Sequence, residues 1–205
     1  MKSARAAGLV LAGGRATRFA GGRKEEALLD GRALIGHVID RAAPQVTILA
    51  ISRGAHQGAM REGFPVVRDE TPDKGPLAGV AAGLAWAASL SPRAEFLATF
   101  ACDAPRIPRD LVDRLIIAAR RAGAPAAIAR SDGVLHPTSA IWSPSLCALA
   151  NARLSGGALS LIGFAEAAGA LIVDVEASAE ASFANINSRE DLKRLQAASR
   201  PPASG

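Results

Sequence analysis

The sequence has no tyrosine, two tryptophans and six phenylalanines in 205 residues. Aromatics make up 4% of the chain, and they do not interleave with basic residues as a stacking surface for nucleic-acid bases requires. Cysteine is equally scarce. Cys102 and Cys147 are too few for a disulfide framework or a multi-thiolate metal site, and they read as small core residues. The longest apolar stretch, Leu77 to Leu90, has 14 residues and contains glycine and serine, whereas a bilayer crossing takes about 20. It predicts a buried helix and no membrane partner. At the N-terminus, basic residues precede a short apolar run that stops at Gly13, Gly14 and Arg15, with no cleavage pattern behind it, so a cytoplasmic protein is expected.

What is present fits an ordinary globular chain: 49% of residues are hydrophobic, 21% are charged and the net charge is +5, which excludes disordered and collagen-like classes. The apolar fraction is built from small side chains, 46 of them alanine, and only four of the 24 basic residues are lysines. The basic residues are scattered along the chain, which argues against nucleic acid and suits a small polyphosphate ligand.

Short apolar runs alternate with segments of helical period, the pattern of a layered α/β protein. Strands are expected at Ala7 to Ala12, Val46 to Ile51, Pro65 to Arg68, Glu95 to Cys102, Ala126 to Ala129, Thr138 to Trp142 and Ala170 to Val173. Helices are expected at Ala33 to Ala43, Leu77 to Leu90, from Pro108 in a first turn to about Arg121, Ser143 to Arg153, Ala158 to Ala168, and from a Ser188 cap to Ala198. Ser188 and Asp191 have capping-box spacing. The order implies a three-layer α/β/α sandwich with a Rossmann-like, mostly parallel sheet, and ligands at the carboxyl ends of its strands. Residues 1–198 are expected to form a single domain, which the resemblance described below implies is a nucleotidyltransferase domain, with 199–205 a disordered tail.

The densest local signal follows the first strand: LAGGRATRFAGGRK, Leu11 to Lys24. Its glycines let backbone N–H groups approach a polyphosphate, and Arg15, Arg18 and Lys24 can neutralise the charge. The glycine spacing matches neither the P-loop nor the dinucleotide fingerprint, which lowers the weight of a kinase or a dehydrogenase. A surface loop whose glycines only turn the chain is the plain alternative.

Further blocks follow in order: Arg68-Asp69-Glu70, Gly75-Pro76-Leu77-Ala78-Gly79, Cys102-Asp103-Ala104-Pro105, His136-Pro137-Thr138, and Asn185-Ile186-Asn187-Ser188 with Glu190-Asp191-Leu192. Together with the loop they resemble the molybdenum cofactor guanylyltransferases, within the nucleotidyltransferases that activate small phosphorylated compounds. The likeness runs from Gly8 to Leu195.

Each block carries a physical reading beside the one the resemblance implies. Asp69 follows a short strand, where a carboxylate can accept hydrogen bonds from a base with adjacent N–H donors; the resemblance implies that it selects guanine. Gly75 and Gly79 leave room for a base or ribose at a helix start, or for close packing on the sheet. Asp103 emerges from a doubly buried strand, and a hard oxygen there suits Mg²⁺ shared with substrate phosphates; the resemblance implies that it holds the metal. His136 is a hydrogen-bonded structural residue or a second-substrate contact. Asn185 and Asn187, two apart, would face one side of a strand, and the resemblance assigns them to the pterin side; Asn187 equally suits capping of the final helix.

The resemblance implies GMP transfer from GTP to molybdopterin or Mo-molybdopterin by a monomer that meets cofactor-delivery and apo-molybdoenzyme proteins transiently. Leu11, Ala12, Gly13, Gly14, Lys24, Asp69, Gly75 and Asp103 would bind GTP, with Lys24, Asp103 and Arg18 catalytic. A CTP-dependent relative and a non-catalytic nucleotide-binding module remain as alternatives. The chain departs from the family at Arg23, where an aspartate is usual, at Glu25 and Glu26, where apolar residues are common, and at Ala50 and Ser52, where asparagines are common. Replacing Lys24 by alanine is expected to slow the chemical step by a factor on the order of 10² to 10³, the cost of one preorganised electrostatic donor. Single-turnover rates with GTP and Mg²⁺ measure it, and an unchanged rate removes Lys24 from the machinery.

Overall fold

The computed structural model describes residues 6–12, 26–54, 63–69, 74–178 and 182–198. Seven strands form one sheet in the order β5-β4-β1-β6-β8-β7-β9. They are β1 (Ala6–Leu11), β4 (Ile48–Gly54), β5 (Val66–Asp69), β6 (Phe96–Ala101), β7 (Ala126–Ser131), β8 (Val134–Trp142) and β9 (Leu171–Asp174). β1 pairs in parallel with β4 and β6, β4 with β5, and β7 with β9, while β8 runs antiparallel to both of its neighbours. A two-residue hairpin, β2 (Leu28–Leu29) and β3 (Arg32–Ala33), stands apart.

Helices cover both faces, so the sandwich expected from the sequence is the one observed. α1 (Leu34–Ala42) and α3 (Leu111–Ala122) pack through Ile35, Val38, Leu111, Leu115 and Ile116 against Val10, Ile51 and Phe100. On the other face α2 (Gly75–Ser89), α4 (Cys147–Ser155) and α5 (Leu161–Ala167) meet Leu9, Leu97, Ile128 and Trp142. β1 and β6 are buried along their whole length, as strands covered on both faces must be. α6 (Arg189–Ala198) lies apart from both layers, where Leu192 and Leu195 pack with Ile186 on Leu29 and Leu34. Among the described residues no helix is long and apolar enough to cross a membrane.

Small residues set the layer spacing. A Cβ on Gly83 would stand 2.5 Å from a Leu9 methyl, and one on Gly79 2.8 Å from the Ser52 hydroxyl. These positions, four apart on α2, let the helix backbone settle onto β1 and β4. The room at Gly79 therefore serves the sheet and not a base.

Several boundaries differ from the sequence reading. β4 starts at Ile48 and runs on to Gly54, because Thr47 is occupied in hydrogen-bonding the Ala6 carbonyl through both its N–H and its hydroxyl. Pro108 lies outside α3; its carbonyl accepts from the Leu111 N–H and from the Gln45 amide in the turn that precedes the helix. Pro144 to Leu146 form a 3-10 turn ahead of α4, and α5 waits until Leu161 because Ser160 caps it by accepting from the Gly163 N–H. Asp132 and Gly133, both at positive φ, make the tight hairpin between β7 and β8, which places His136 inside a strand. Both cysteines are half-buried, not core.

Thr99, wholly buried in β6, accepts a 3.1 Å hydrogen bond from the Trp142 indole N–H. Thr99→Val keeps the shape and orphans that donor. It is expected to lower unfolding free energy by about 1–3 kcal/mol in urea titration, while Thr99→Ser costs less of the hydrogen-bond term.

Candidate functional site at the switch point of the sheet

From β1 the chain moves outward through β4 and β5, then crosses back to β6 on the other side of β1. The two flanking connections diverge there and leave a crevice at the carboxyl ends. Backbone hydrogen bonds fix its floor. The Cys102 N–H donates to the Leu11 carbonyl at 3.4 Å, and the Ala12 N–H donates to the Ser52 carbonyl at 3.2 Å. Leu11 is thus level with Ser52 on one side and Ala101 on the other. Asp103, two residues past Ala101, follows the Cys102 bond to Leu11 and so comes out near Ala12 at the end of β1. The turn at Ala101 to Ala104 is closed by the Ala104 N–H on the Ala101 carbonyl.

Asp69 ends β5 opposite Gly54. Strands lie about 4.8 Å apart, so β5, which ends at Asp69, and β6, whose following turn bears Asp103, stand roughly 14 Å apart across β4 and β1. Gly75, at φ +67°, opens α2 at this same end, and Lys74 beside it donates to the Leu154 carbonyl at 3.1 Å. Ala50 and Ser52, where the sequence departs from the family, are buried under α2, and their small side chains suit the close helix.

The residues expected on the second-substrate side gather on the β6–β8 flank. A strap of residues 182–187 is hung from the loop after β6 by two backbone bonds, the Ser182 N–H to the Arg106 carbonyl at 2.8 Å and the Ile186 N–H to the Asp103 carbonyl at 2.9 Å. Asn185 and Asn187 are exposed on either side of buried Ile186. The strap is not a strand, because its backbone bonds go to a loop and to the α6 cap, yet Asn185 and Asn187 keep the alternation expected of them, both exposed about buried Ile186 and flanking the Asp103 contact. The Asn187 N–H donates to the Asp191 carboxylate while the Asp191 N–H donates to the Ser188 hydroxyl. Hydrogen bonds donated to the Asp191 carboxylate, from the Ser188 hydroxyl first and the Asn187 N–H second, hold it below the usual carboxylate range.

His136 stacks on Phe183 of the strap with ring centroids 4.6 Å apart and planes 15° from parallel. Phe183 and Ile186, which attach the strap to the core, were missed from sequence; their only signal was two apolar residues spaced among asparagines. Gly13, Gly14, Arg15, Arg18, Arg23, Lys24 and Glu25 lie outside the described residues, as does the tail 199–205. Both ends of the loop can still be located: Ala12 at the switch point and Ala27, whose carbonyl accepts from the Leu34 N–H at the start of α1.

Known proteins share this arrangement. A family model described as MobA-like NTP transferase domain matches residues 8–169. A molybdenum cofactor guanylyltransferase of Cereibacter sphaeroides is 39% identical over 197 residues, covering 96% of this chain and 98% of its own. One from Serratia proteamaculans is 40% identical over 192 residues, covering 92% and 93%. Among solved structures, molybdopterin-guanine dinucleotide biosynthesis protein A from Archaeoglobus fulgidus superposes with a TM-score of 0.73 over 93% of this chain and 97% of that one, at 23% identity. A 2-C-methyl-D-erythritol 4-phosphate cytidylyltransferase from Thermus thermophilus gives 0.66 over 92% and 96%, at 18% identity. These two likenesses bear on the fold alone, which is that of α/β nucleotidyltransferases. The chain belongs to the MobA-like NTP transferase family.

Burial lowers the His136 pKa from 6.5, and the Asp132 carboxylate only partly opposes this. The unfolded chain then takes up a proton near pH 6.5 that the folded chain resists until lower pH. The contribution of His136 is therefore intact above about 6.5 and lost as pH falls toward the folded value. Urea unfolding at pH 7.5 and 5.5 is expected to show a larger loss for the wild type than for His136→Gln.

Proposed function

We propose that this chain transfers GMP from GTP to molybdopterin and releases pyrophosphate. The observation that carries the reading is the Leu11–Cys102 backbone bond, which sets Asp103, one residue on, near Ala12 where the glycine-rich segment begins. Conservation of overall length with relatives named for this activity, at 39–40% identity, supports the choice of substrates.

In this reading the nucleotide lies across the carboxyl ends of β5, β4, β1 and β6. Asp69 accepts from the guanine N–H groups, the N–H groups of Gly13 and Gly14 meet the triphosphate, and Arg18 and Lys24 neutralise it. The pterin enters from the side of Asn185, Asn187 and His136. An anionic oxygen of its terminal phosphate bonds to the α-phosphorus as the bond to the β-phosphate's bridging oxygen breaks. The electron pair leaves with pyrophosphate, and no general base is required because the attacking oxygen is already ionised. What the chain supplies is alignment and charge stabilisation.

The donor set fits magnesium. Among the described residues no three His, Cys, Asp or Glu side chains converge on one point. A lone carboxylate at the mouth of the cleft is what a hard cation needs when substrate phosphates and water complete its shell. Asp103 would hold it, and bound Mg²⁺ would neutralise charge on the phosphates.

Calorimetric titration with GTP, CTP and ATP, with and without Mg²⁺, tests the assignment. GTP is expected to bind in preference to the other two, and Asp69→Asn to lower that preference by about 10- to 100-fold, the loss of charge-assisted hydrogen bonds to the base. Equal affinity for GTP and CTP overturns the guanine assignment. Binding of GTP without pyrophosphate release in the presence of molybdopterin overturns the transfer reaction.

A further inference from the structure

Arg53 is 4% exposed, and its Nε and one terminal nitrogen are buried with no hydrogen-bond partner. A guanidinium does not lose its proton in a protein, so burial cannot neutralise it, and an unanswered buried charge is among the costliest arrangements a fold can keep. The position tells what would answer it. Arg53 is next after Ser52, whose carbonyl accepts from the Ala12 N–H, so the register brings Arg53 level with Ala12 where the glycine-rich loop departs. Strand alternation puts Arg53 on the face of Leu49 and Ile51, which is also the face of Val10 and Ala12.

Its cross-strand neighbour raises the demand for negative charge. Arg53 is the register partner of Arg68 on β5, so two arginines stand side by side on one face at the carboxyl edge of the sheet. Like charges directly opposed destabilise a sheet unless an anion lies between or beside them. Asp69, the nearest acidic residue along β5, alternates to the other face and provides no hydrogen bond to the unpartnered nitrogens. A forked guanidinium at the root of a loop built to meet phosphate matches the geometry of phosphate oxygens.

We propose that Arg53 is a phosphate-binding residue of this site, holding the polyphosphate of the nucleotide beside Ala12 at the carboxyl edge of β4, with Arg68 adding charge at the rim. The inference rests on the nucleotidyltransferase reading and extends it to a residue on β4. The anion completes the hydrogen bonds of Arg53, so part of the binding free energy comes from relieving a charge the free protein keeps unpaired.

The test compares wild type, Arg53→Met and Arg53→Lys in thermal melts and in calorimetric titration with GTP, inorganic tripolyphosphate and guanosine. Without ligand, Arg53→Met is expected to melt at or above the wild-type temperature. Its affinity for GTP and for tripolyphosphate is expected to fall by about tenfold or more, the size of a lost charge-assisted pair, while affinity for guanosine stays the same. Arg53→Lys retains part of the phosphate affinity because it keeps the charge without the fork. Unchanged tripolyphosphate affinity in Arg53→Met overturns the proposal. So does an Arg53→Met that melts lower or fails to fold without ligand, since the guanidinium would then be answering groups of the protein itself. A wild type that binds tripolyphosphate but shows no preference for GTP leaves Arg53 in place and removes the guanine assignment instead.

Discussion

One parallel strand, β1, is hydrogen-bonded on both edges, and every part of the site depends on that. Its carboxyl end is tied by the Ala12 N–H to β4 and by the Leu11 carbonyl to the turn after β6. The chain leaves this point as a glycine-rich loop and returns to it as Asp103, having traversed half the sheet in between. No side chain has to search for its neighbour, since backbone bonds between buried strands set the separation. Such bonds are costly to leave unmade in an apolar interior, so the floor of the crevice is among the least deformable parts of the fold.

The alanine-rich composition belongs to the same constraint. Close seating of α2 on β1 and β4 requires glycine at 79 and 83 and small partners at Ala50 and Ser52, and it brings the start of that helix to the edge of the cleft. Small side chains bury less apolar area each, so stability has to come from tight interlayer contact instead of bulk. The few large buried rings, Trp142, Phe100 and Phe164, fill the places where the layers diverge, and the indole adds a hydrogen bond to Thr99.

The strands and helices that carry long apolar runs were readable from sequence: β1, β6, α1 and α2 fall within two residues of their expected bounds. So was the convergence of Leu11, Ala12 and Asp103, because strand-to-loop position in a parallel sheet is a rule of topology. What escaped was governed by contacts distant in sequence. The starts of α3 and α5 were set by Gln45 reaching Pro108 and by the Ser160 cap, and β2 and β3 are too short to leave a periodic signal. Asn185 and Asn187 looked like alternate residues of a strand, yet the backbone between them bonds to a loop. Arg53 gave no sign at all, since an arginine two residues past a strand's apolar run ordinarily faces water.

The strap of residues 182–187 explains why a helix with little contact to either layer is kept. Ile186 bonds Asp103 through its backbone and packs its side chain with Leu29 and Leu34, while Leu192 and Leu195 of α6 complete that small apolar cluster. Arg106, in the loop after Asp103, donates to the Leu195 carbonyl at 3.1 Å. Residues 27–34 are where the glycine-rich loop rejoins the fold, so the C-terminal segment clasps the loop's far end to the turn that bears the carboxylate. Its near end is already held by β1. Ala12 and residues 27–34 are thus both tied to the turn that bears Asp103, one through strand pairing and the other through the strap, by bonds and apolar contacts that the protein makes within itself.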